Sequence, residues 1–115
     1  GVYPFHHYHS NTHEVLGVYQ GSAEVHLGGE QGRKVKVRAG DVIVIPAGVG
    51  HKNLGASSDF AVVGAYPDGM WPDLQKDEPR ILKDAELRIA NVPIPDADPV
   101  RGKDGGLSGI WKQTP

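Results

Sequence analysis

Apolar and polar residues alternate along most of the first 66 positions, which is the period of half-buried β-strands. The clearest example is the stretch 23–27, which ends at two glycines and a turn typical of a hairpin. Residues 42–45 are instead continuously β-branched, a pattern that predicts a strand buried on both faces. Seven short strands are predicted in all, over residues 3–9, 14–19, 23–27, 34–38, 42–45, 51–54 and 60–66.

The pattern changes after Tyr66, where turn-forming residues become frequent. Residues 81–92 fit either a short helix or a strand, and prolines from position 93 onward predict an extended arm, for which Trp111 is the expected anchor. The chain therefore predicts an all-β core over residues 1–70 and a loop-rich C-terminal extension over residues 71–115 that packs on it.

Composition supports the all-β class and excludes several functions. The 115 residues include 16 glycines and 9 prolines, spread along the chain as many tight turns require. The formal net charge of −2 and the lack of a basic block argue against nucleic acid, and no apolar run reaches the length of a membrane span. Cysteine is absent, so thiol chemistry is excluded and a cytoplasmic location is expected.

The first candidate chemistry lies in residues 5–14, which hold four of the six histidines. In a strand, His7 and His9 share one face, and a polar turn over residues 10–12 brings Glu14 back beside them. Two imidazoles and one carboxylate then converge from one hairpin. This donor set suits Fe(II), Mn(II), Ni(II), Cu(II) or Zn(II).

A second segment supplies a fourth ligand. Residues 40–51 combine a strand, a turn through Pro46 and Gly48, and then His51 at the start of the next strand. The sequence therefore predicts one divalent transition metal held by His7, His9, Glu14 and His51.

The same residues resemble the two motifs of the cupin family. The pattern G-x5-H-x-H-x4-E-x6-G fits from Gly1 to Gly21, and G-x5-P-x-G-x2-H fits from Gly40 to His51. The family usually adds an asparagine four residues after the last histidine, where this chain has Gly55 with Asn53 nearby. Together with residues 64–69, the motifs resemble a branch of single-domain bacterial cupins that has no settled activity. The resemblance implies a cupin-type jelly-roll β-barrel with an extended C-terminal arm.

The resemblance implies two functions of different classes. The first is a small-molecule enzyme, dioxygenase-, isomerase- or decarboxylase-like, whose metal binds a substrate with oxygen donors such as a carboxylate, keto acid or diol. His13 or Tyr66 is then the candidate general acid or base. The second is a metal-loaded module that binds or senses a small molecule without turnover, and a purely structural site is less favoured because four ligands leave coordination positions open.

The remaining histidines are given ordinary roles by the pattern. His13 is expected beside the ligands or at the surface, His6 is expected to face outward with Tyr8, and His26 on an alternating strand is read as structural. The first motif begins at Gly1, whereas cupins usually carry one or two strands before it. The chain is therefore a fragment, a processed form or a protomer whose exposed edge a partner covers, and a homodimer is expected.

Overall fold

The computed structural model describes residues 2–76, 79–95, 97–100 and 107, leaving aside the side chains of residues 79–82. These residues form two sheets and one α-helix. The described elements are β1 (Glu14–Gln20), β2 (Ser22–Leu27), β3 (Arg33–Arg38), β4 (Val42–Ile45), β5 (His51–Ala56), β6 (Ala61–Ala65), a single 3-10 turn (Pro67–Gly69) and α1 (Pro79–Ala90).

The two sheets are antiparallel and have three strands each, in the orders β4-β1-β6 and β3-β2-β5. Inward-facing valines from both sheets form the core, with Val18 on β1, Val25 on β2 and Val37 on β3 all buried. Phe60, the residue before β6, and Val62 on β6 pack against this cluster. The all-β jelly-roll class is therefore confirmed, because one face of each sheet is apolar and the two faces are packed together.

Sharp turns with positive φ connect these strands. Gly21, at φ 74° between β1 and β2, has the side chains of Ser57 and Asp59 where a Cβ would stand, at 2.5 and 2.6 Å. Glycine is required there both by the backbone angle and by the lack of space.

The opening segment departs from the prediction, since residues 3–9 do not form a continuous strand. His7 exchanges two backbone hydrogen bonds with His51, whereas Tyr8 exchanges two with Gln75. Pro4 lacks an amide hydrogen, and neighbouring residues pair with different segments, so no regular ladder can develop. The alternation of side chains is nevertheless kept.

The prediction that β4 is buried on both faces is wrong. Among the described strands β4 pairs with β1 alone, so it lies at a sheet edge. Val42 is 46% exposed, and Ile45 at the other end is the fully buried residue. Continuous β-branched residues thus predict a strand here but do not predict how deeply it is buried.

The ambiguous stretch 81–92 is resolved as the helix α1 rather than a strand. The side chain of Ile89 on this helix packs against Gly48, where a Cβ would come within 2.8 Å of it. Gly48 has φ 86°, so it permits both the turn before β5 and the close approach of the helix. Trp111, the expected anchor of the arm, lies outside the described residues. Within them no helix is both long and apolar enough to cross a membrane.

Candidate metal centre

Three buried histidines meet inside the sandwich. His7 and His9 come from the opening segment, and His51 is the first residue of β5. The backbone pairing of His7 with His51, with N–O distances of 3.1 and 2.8 Å, places these two residues side by side although they are far apart in sequence. One ring nitrogen from each of the three histidines lies within 4.8 Å of the others. The inner cluster is the name used below for His7, His9, His51 and Glu14.

Each of these imidazoles is oriented by a backbone carbonyl. The Nδ1 atoms of His7, His9 and His51 lie 3.0 Å from Phe5 O, 2.5 Å from Asp73 O and 3.1 Å from Val49 O, respectively. A carbonyl can only accept, so each Nδ1 carries the hydrogen. The neutral ring then presents a lone pair on Nε2, which is the arrangement found in histidines that bind metals.

Glu14, the first residue of β1, brings a carboxylate to the same point. Its Oε1 lies 3.1 Å from His51 Nε2 and 3.6 Å from His9 Nε2. Ligand atoms held about 2.0–2.2 Å from one ion, at right or tetrahedral angles, lie about 2.8–3.6 Å apart. The two separations between Glu14 Oε1 and the histidine nitrogens therefore fall within the range of ligands that share an ion.

The ionisation of the inner cluster also calls for a cation. Burial raises the pKa of Glu14, but contacts with His51, His9 and Tyr66 outweigh burial and hold that pKa well below its ordinary value. The carboxylate is thus ionised and has no hydrogen to donate. His51 Nε2 is buried and makes no hydrogen bond of good geometry to any described residue, despite its 3.1 Å approach to Glu14. Two facing acceptors repel unless a proton or a metal lies between them.

The pKa values of the two other imidazoles differ in direction. Burial lowers the pKa of His7, assisted by the neighbouring His51 and His9. Burial also opposes the charged form of His9, but contacts with Glu14 and the Asp73 carbonyl outweigh it and raise that pKa. The proton in the metal-free cluster is therefore expected on His9. The donor set of three imidazoles and one carboxylate fits a divalent transition metal.

A cavity of about 260 Å³ opens onto the inner cluster. Besides the four candidate ligands it is lined by Val2, Tyr3, Leu16 and Tyr66. The Tyr66 hydroxyl donates a hydrogen bond to Glu14 Oε2, leaving Oε1 directed to the histidines. Burial and this bond raise the pKa of Tyr66 well above its ordinary value, so the phenol keeps its proton. The structure thus places Tyr66, one of the two candidate acids or bases, at the cavity.

His13 is placed differently and is not among the residues that line this cavity. Its Nδ1 accepts a hydrogen bond of 2.9 Å from the amide of Ala47, and its Nε2 lies 2.9 Å from Pro93 O. Both ring nitrogens are therefore occupied, and the ring joins the turn after β4 to the start of the C-terminal arm. The geometry does not bring His13 to the candidate ligands.

Comparisons with known proteins agree with this architecture. The family model described as "Cupin domain" matches residues 1–63. The chain belongs to the cupin family. It is 46% identical over 110 residues to the uncharacterized protein YjlB of Bacillus subtilis (strain 168), an alignment covering 96% of this chain and 67% of that protein. No solved structure gives a significant match to the chain.

This cupin has a supporting segment around Asp73 that the sequence pattern did not single out. The Asp73 carboxylate accepts hydrogen bonds from Ser10 N, at 2.7 Å, from Ser10 Oγ and from Gln75 Nε2, at 3.0 Å. These bonds oppose burial and lower the pKa of Asp73. They hold the turn after His9 against the segment whose carbonyl orients His9. Backbone carbonyls carry no side-chain signal, so the sequence could not predict that Asp73 O and Phe5 O orient candidate ligands.

Asn53, near the position where the family pattern expects asparagine, has a local role. Its Oδ1 accepts a hydrogen bond of 2.9 Å from Gly55 N, where the pairing of β2 with β5 shifts register. The departure from the motif thus affects a bulge in β5 and leaves His51 in place.

Proposed function

We propose that this cupin is a metal-dependent enzyme acting on a small molecule, and that its metal is held by His7, His9, Glu14 and His51. The observation that carries the proposal is the buried, ionised Glu14 carboxylate facing imidazoles whose Nδ1 hydrogens are already committed to backbone carbonyls. A divalent transition metal bound there supplies Lewis-acid polarisation of a substrate oxygen or, as iron, reactivity toward dioxygen.

The chain's own residues then have distinct roles. The four ligands fix the position of the ion, and the carbonyls of Phe5, Asp73 and Val49 fix the rings. Tyr66 keeps Glu14 oriented by donating its single hydroxyl hydrogen to that carboxylate, so its oxygen can only accept a hydrogen bond from the bound molecule, and the phenol is a poor base. Tyr3 and Leu16 exclude water around the bound molecule.

The cavity lining bears on the reaction class. Apart from the candidate ligands, its described residues include no carboxylate and no histidine, and the titratable groups left are Tyr3 and Tyr66. An isomerase that moves a proton between carbon atoms needs a base poised near neutral pH. The lining therefore supports a dioxygenase-like reaction over an isomerase-like one, and His13 is not among the described residues that line this cavity.

The experiment couples metal identification to turnover. Protein stripped by a chelator is reloaded with Fe(II) under anaerobic conditions, and oxygen uptake is recorded against panels of small carboxylic acids, keto acids and diols. Uptake with one substrate class, lost in His51→Ala, is the expected result. A fully iron-loaded protein that consumes no oxygen with any panel would contradict the enzymatic reading.

The second candidate function is a metal-loaded module that binds or senses a small molecule without turnover. Binding without turnover needs no free base, and among the described residues of the cavity lining none is found besides the candidate ligands and two tyrosines. It predicts saturable binding of an oxygen-donor ligand to the zinc-loaded protein, measured by calorimetry, without conversion of the ligand. Conversion of the ligand would exclude this alternative.

A homodimer in the cytoplasm remains the proposed state of the protein. Val63 on the edge strand β6 is 59% exposed, and an apolar edge favours association. Light scattering at micromolar concentration should give twice the chain mass of 12.3 kDa. A mass equal to one chain under these conditions would refute the dimer.

A further inference from the structure

A second group of metal-binding side chains lies on the other face of the opening segment. His6 precedes the inner ligand His7, His26 lies on β2, and Glu30 lies in the turn between β2 and β3. One ligand atom from each of these three residues lies within 4.8 Å of the others. This group, called the outer cluster below, shares no residue with the inner cluster.

The geometry of the outer cluster leaves its imidazoles unsatisfied. His6 Nε2 lies 2.9 Å from Glu30 Oε1, yet the contact lacks the geometry of a hydrogen bond. Both ring nitrogens of His6 are shielded from solvent and form no hydrogen bond with any described residue. The His6 and His26 rings lie 4.9 Å apart between centroids, and His26 is only 5% exposed. Buried polar atoms without a partner are rare in native proteins and often mark a bound water or ion.

We propose that the outer cluster is a second divalent metal site, distinct from the inner cluster and independent of the proposed enzymatic function. Two imidazoles and one carboxylate form a donor set that suits Zn(II), Ni(II) or Cu(II). The 2.9 Å separation between His6 Nε2 and Glu30 Oε1 is the spacing of two adjacent ligands on one ion, about 2.8–3.6 Å. An adjoining cavity of about 600 Å³, lined by His6, Tyr8 and Glu30, leaves room for water to complete the coordination.

The charges around the outer cluster affect its metal affinity relative to that of the inner cluster. His26 pairs in register with Lys34 on β3 and with Lys52 on β5, and directly opposed residues in antiparallel strands share a face. Lys34 and Lys52 therefore place positive charge on the face of the sheet that carries His26, and Glu30 is mostly exposed with a side-chain exposure of 76%. The outer site is consequently the weaker of the two, and it selects ions by affinity for imidazole rather than by charge alone.

Metal in the outer cluster has a structural consequence. It links the opening segment to β2 and to the β2–β3 turn, at the residue next to the inner ligand His7. Because the opening segment is held by scattered backbone bonds rather than a ladder, such a link stabilises the part of the chain that carries two inner ligands.

The test is a zinc titration of chelator-stripped protein, followed by equilibrium dialysis and elemental analysis. Wild-type protein should bind two equivalents per chain, the second more weakly. Glu30→Gln, a change at an exposed position, should weaken the second equivalent roughly tenfold or more, because losing a ligand exceeds the effect of losing a supporting partner. Glu86→Gln makes the same charge change on the exposed face of α1 and should keep both equivalents.

His51→Ala separates this proposal from the proposed function. It should keep the outer equivalent and lose the inner one, while Glu30→Gln does the reverse. The proposal is overturned if saturated wild-type protein holds one equivalent that His51→Ala removes. It is also overturned if Glu30→Gln and Glu86→Gln bind zinc alike.

Discussion

His13 and Glu14 are adjacent in sequence, yet they serve opposite faces of the sheet that contains β1. Both are buried, at 8% and 6% exposure. On the inner face, three imidazoles each use one ring nitrogen on a backbone carbonyl and keep the other for the centre. On the outer face, His13 uses both nitrogens, one on Ala47 and one on Pro93. Burial is common to both faces, and the number of committed nitrogens separates a candidate ligand from a structural histidine.

This contrast has a physical origin. A neutral imidazole has one donor and one acceptor, so a ring with both satisfied by protein has nothing left for a metal. An imidazole whose N–H is hydrogen-bonded and whose other nitrogen faces an ionised carboxylate is stable only when a cation lies between that nitrogen and the carboxylate.

Removal of an inner ligand should have the largest effect. His51→Ala deletes the most deeply buried imidazole, at 1% exposure, and leaves Glu14 without its 3.1 Å partner. We expect the inner metal equivalent to be lost at micromolar metal, measured by elemental analysis after dialysis. His13→Gln is the matched control and should retain that equivalent. Equal metal content in the two variants would remove the distinction between the faces.

Acidification should have the next largest effect. Metal binding requires neutral imidazoles, and the raised pKa of His9 means that the metal must displace a proton there even above the ordinary histidine value near 6.5. The lowered pKa of His7 keeps that ring neutral to lower pH, and Glu14 stays ionised throughout. Affinity should therefore fall as pH falls, by up to ~100-fold between about pH 7.5 and 5.5, since one displaced proton gives at most about tenfold per pH unit. Calorimetry in buffers of different ionisation enthalpy measures the released protons, and a pH-independent affinity would contradict this assignment.

Loosening the support of His9 should have an intermediate effect. Asp73→Ala removes the acceptor that holds Ser10 and Gln75, so the segment carrying the Asp73 carbonyl is no longer fixed against His9. We expect metal affinity to fall by about 10–100-fold, the range for partners behind metal ligands. Asp84→Ala, at an exposed position of α1, is the control and should leave affinity unchanged. An affinity for Asp73→Ala equal to that control would show that His9 needs no such support.

His13→Gln should give the smallest effect, and on stability alone. The substitution leaves the partly buried amide of Ala47 or the carbonyl of Pro93 without its imidazole partner. We expect the free energy of unfolding of the metal-free protein to fall by about 1–3 kcal/mol, measured by urea denaturation. A stable variant that has instead lost metal would assign His13 to the centre after all.

Much of the sandwich could be predicted from the sequence because its signals are local. Alternation set the positions of β2 and β3 to within a residue, and glycines with positive φ marked the turns. The depth of β4 could not be predicted, since an edge strand and a central strand of β-branched residues look alike in sequence. The prediction of a continuous opening strand was wrong because the pairing partners of this segment, His51 and Gln75, lie far along the chain.

The candidate centre was predictable for a similar reason. The two-residue spacing of His7 and His9 fixes a common face whether or not the segment forms a ladder, and the turn brings Glu14 beside them. The roles of His13 and of the Asp73 segment were not predictable, because their partners are backbone atoms of distant residues. Sequence spacing thus indicates which side chains can meet, while the carbonyls that orient them emerge only in three dimensions.

The most direct test of the proposed metal centre is anomalous diffraction at the absorption edge of a metal reconstituted into crystals of this cupin. We expect a strong peak about 2.0–2.2 Å from His7, His9 and His51 Nε2 and from a Glu14 oxygen. Saturated crystals without a peak among these four side chains would contradict the account, whatever other sites the ion occupies.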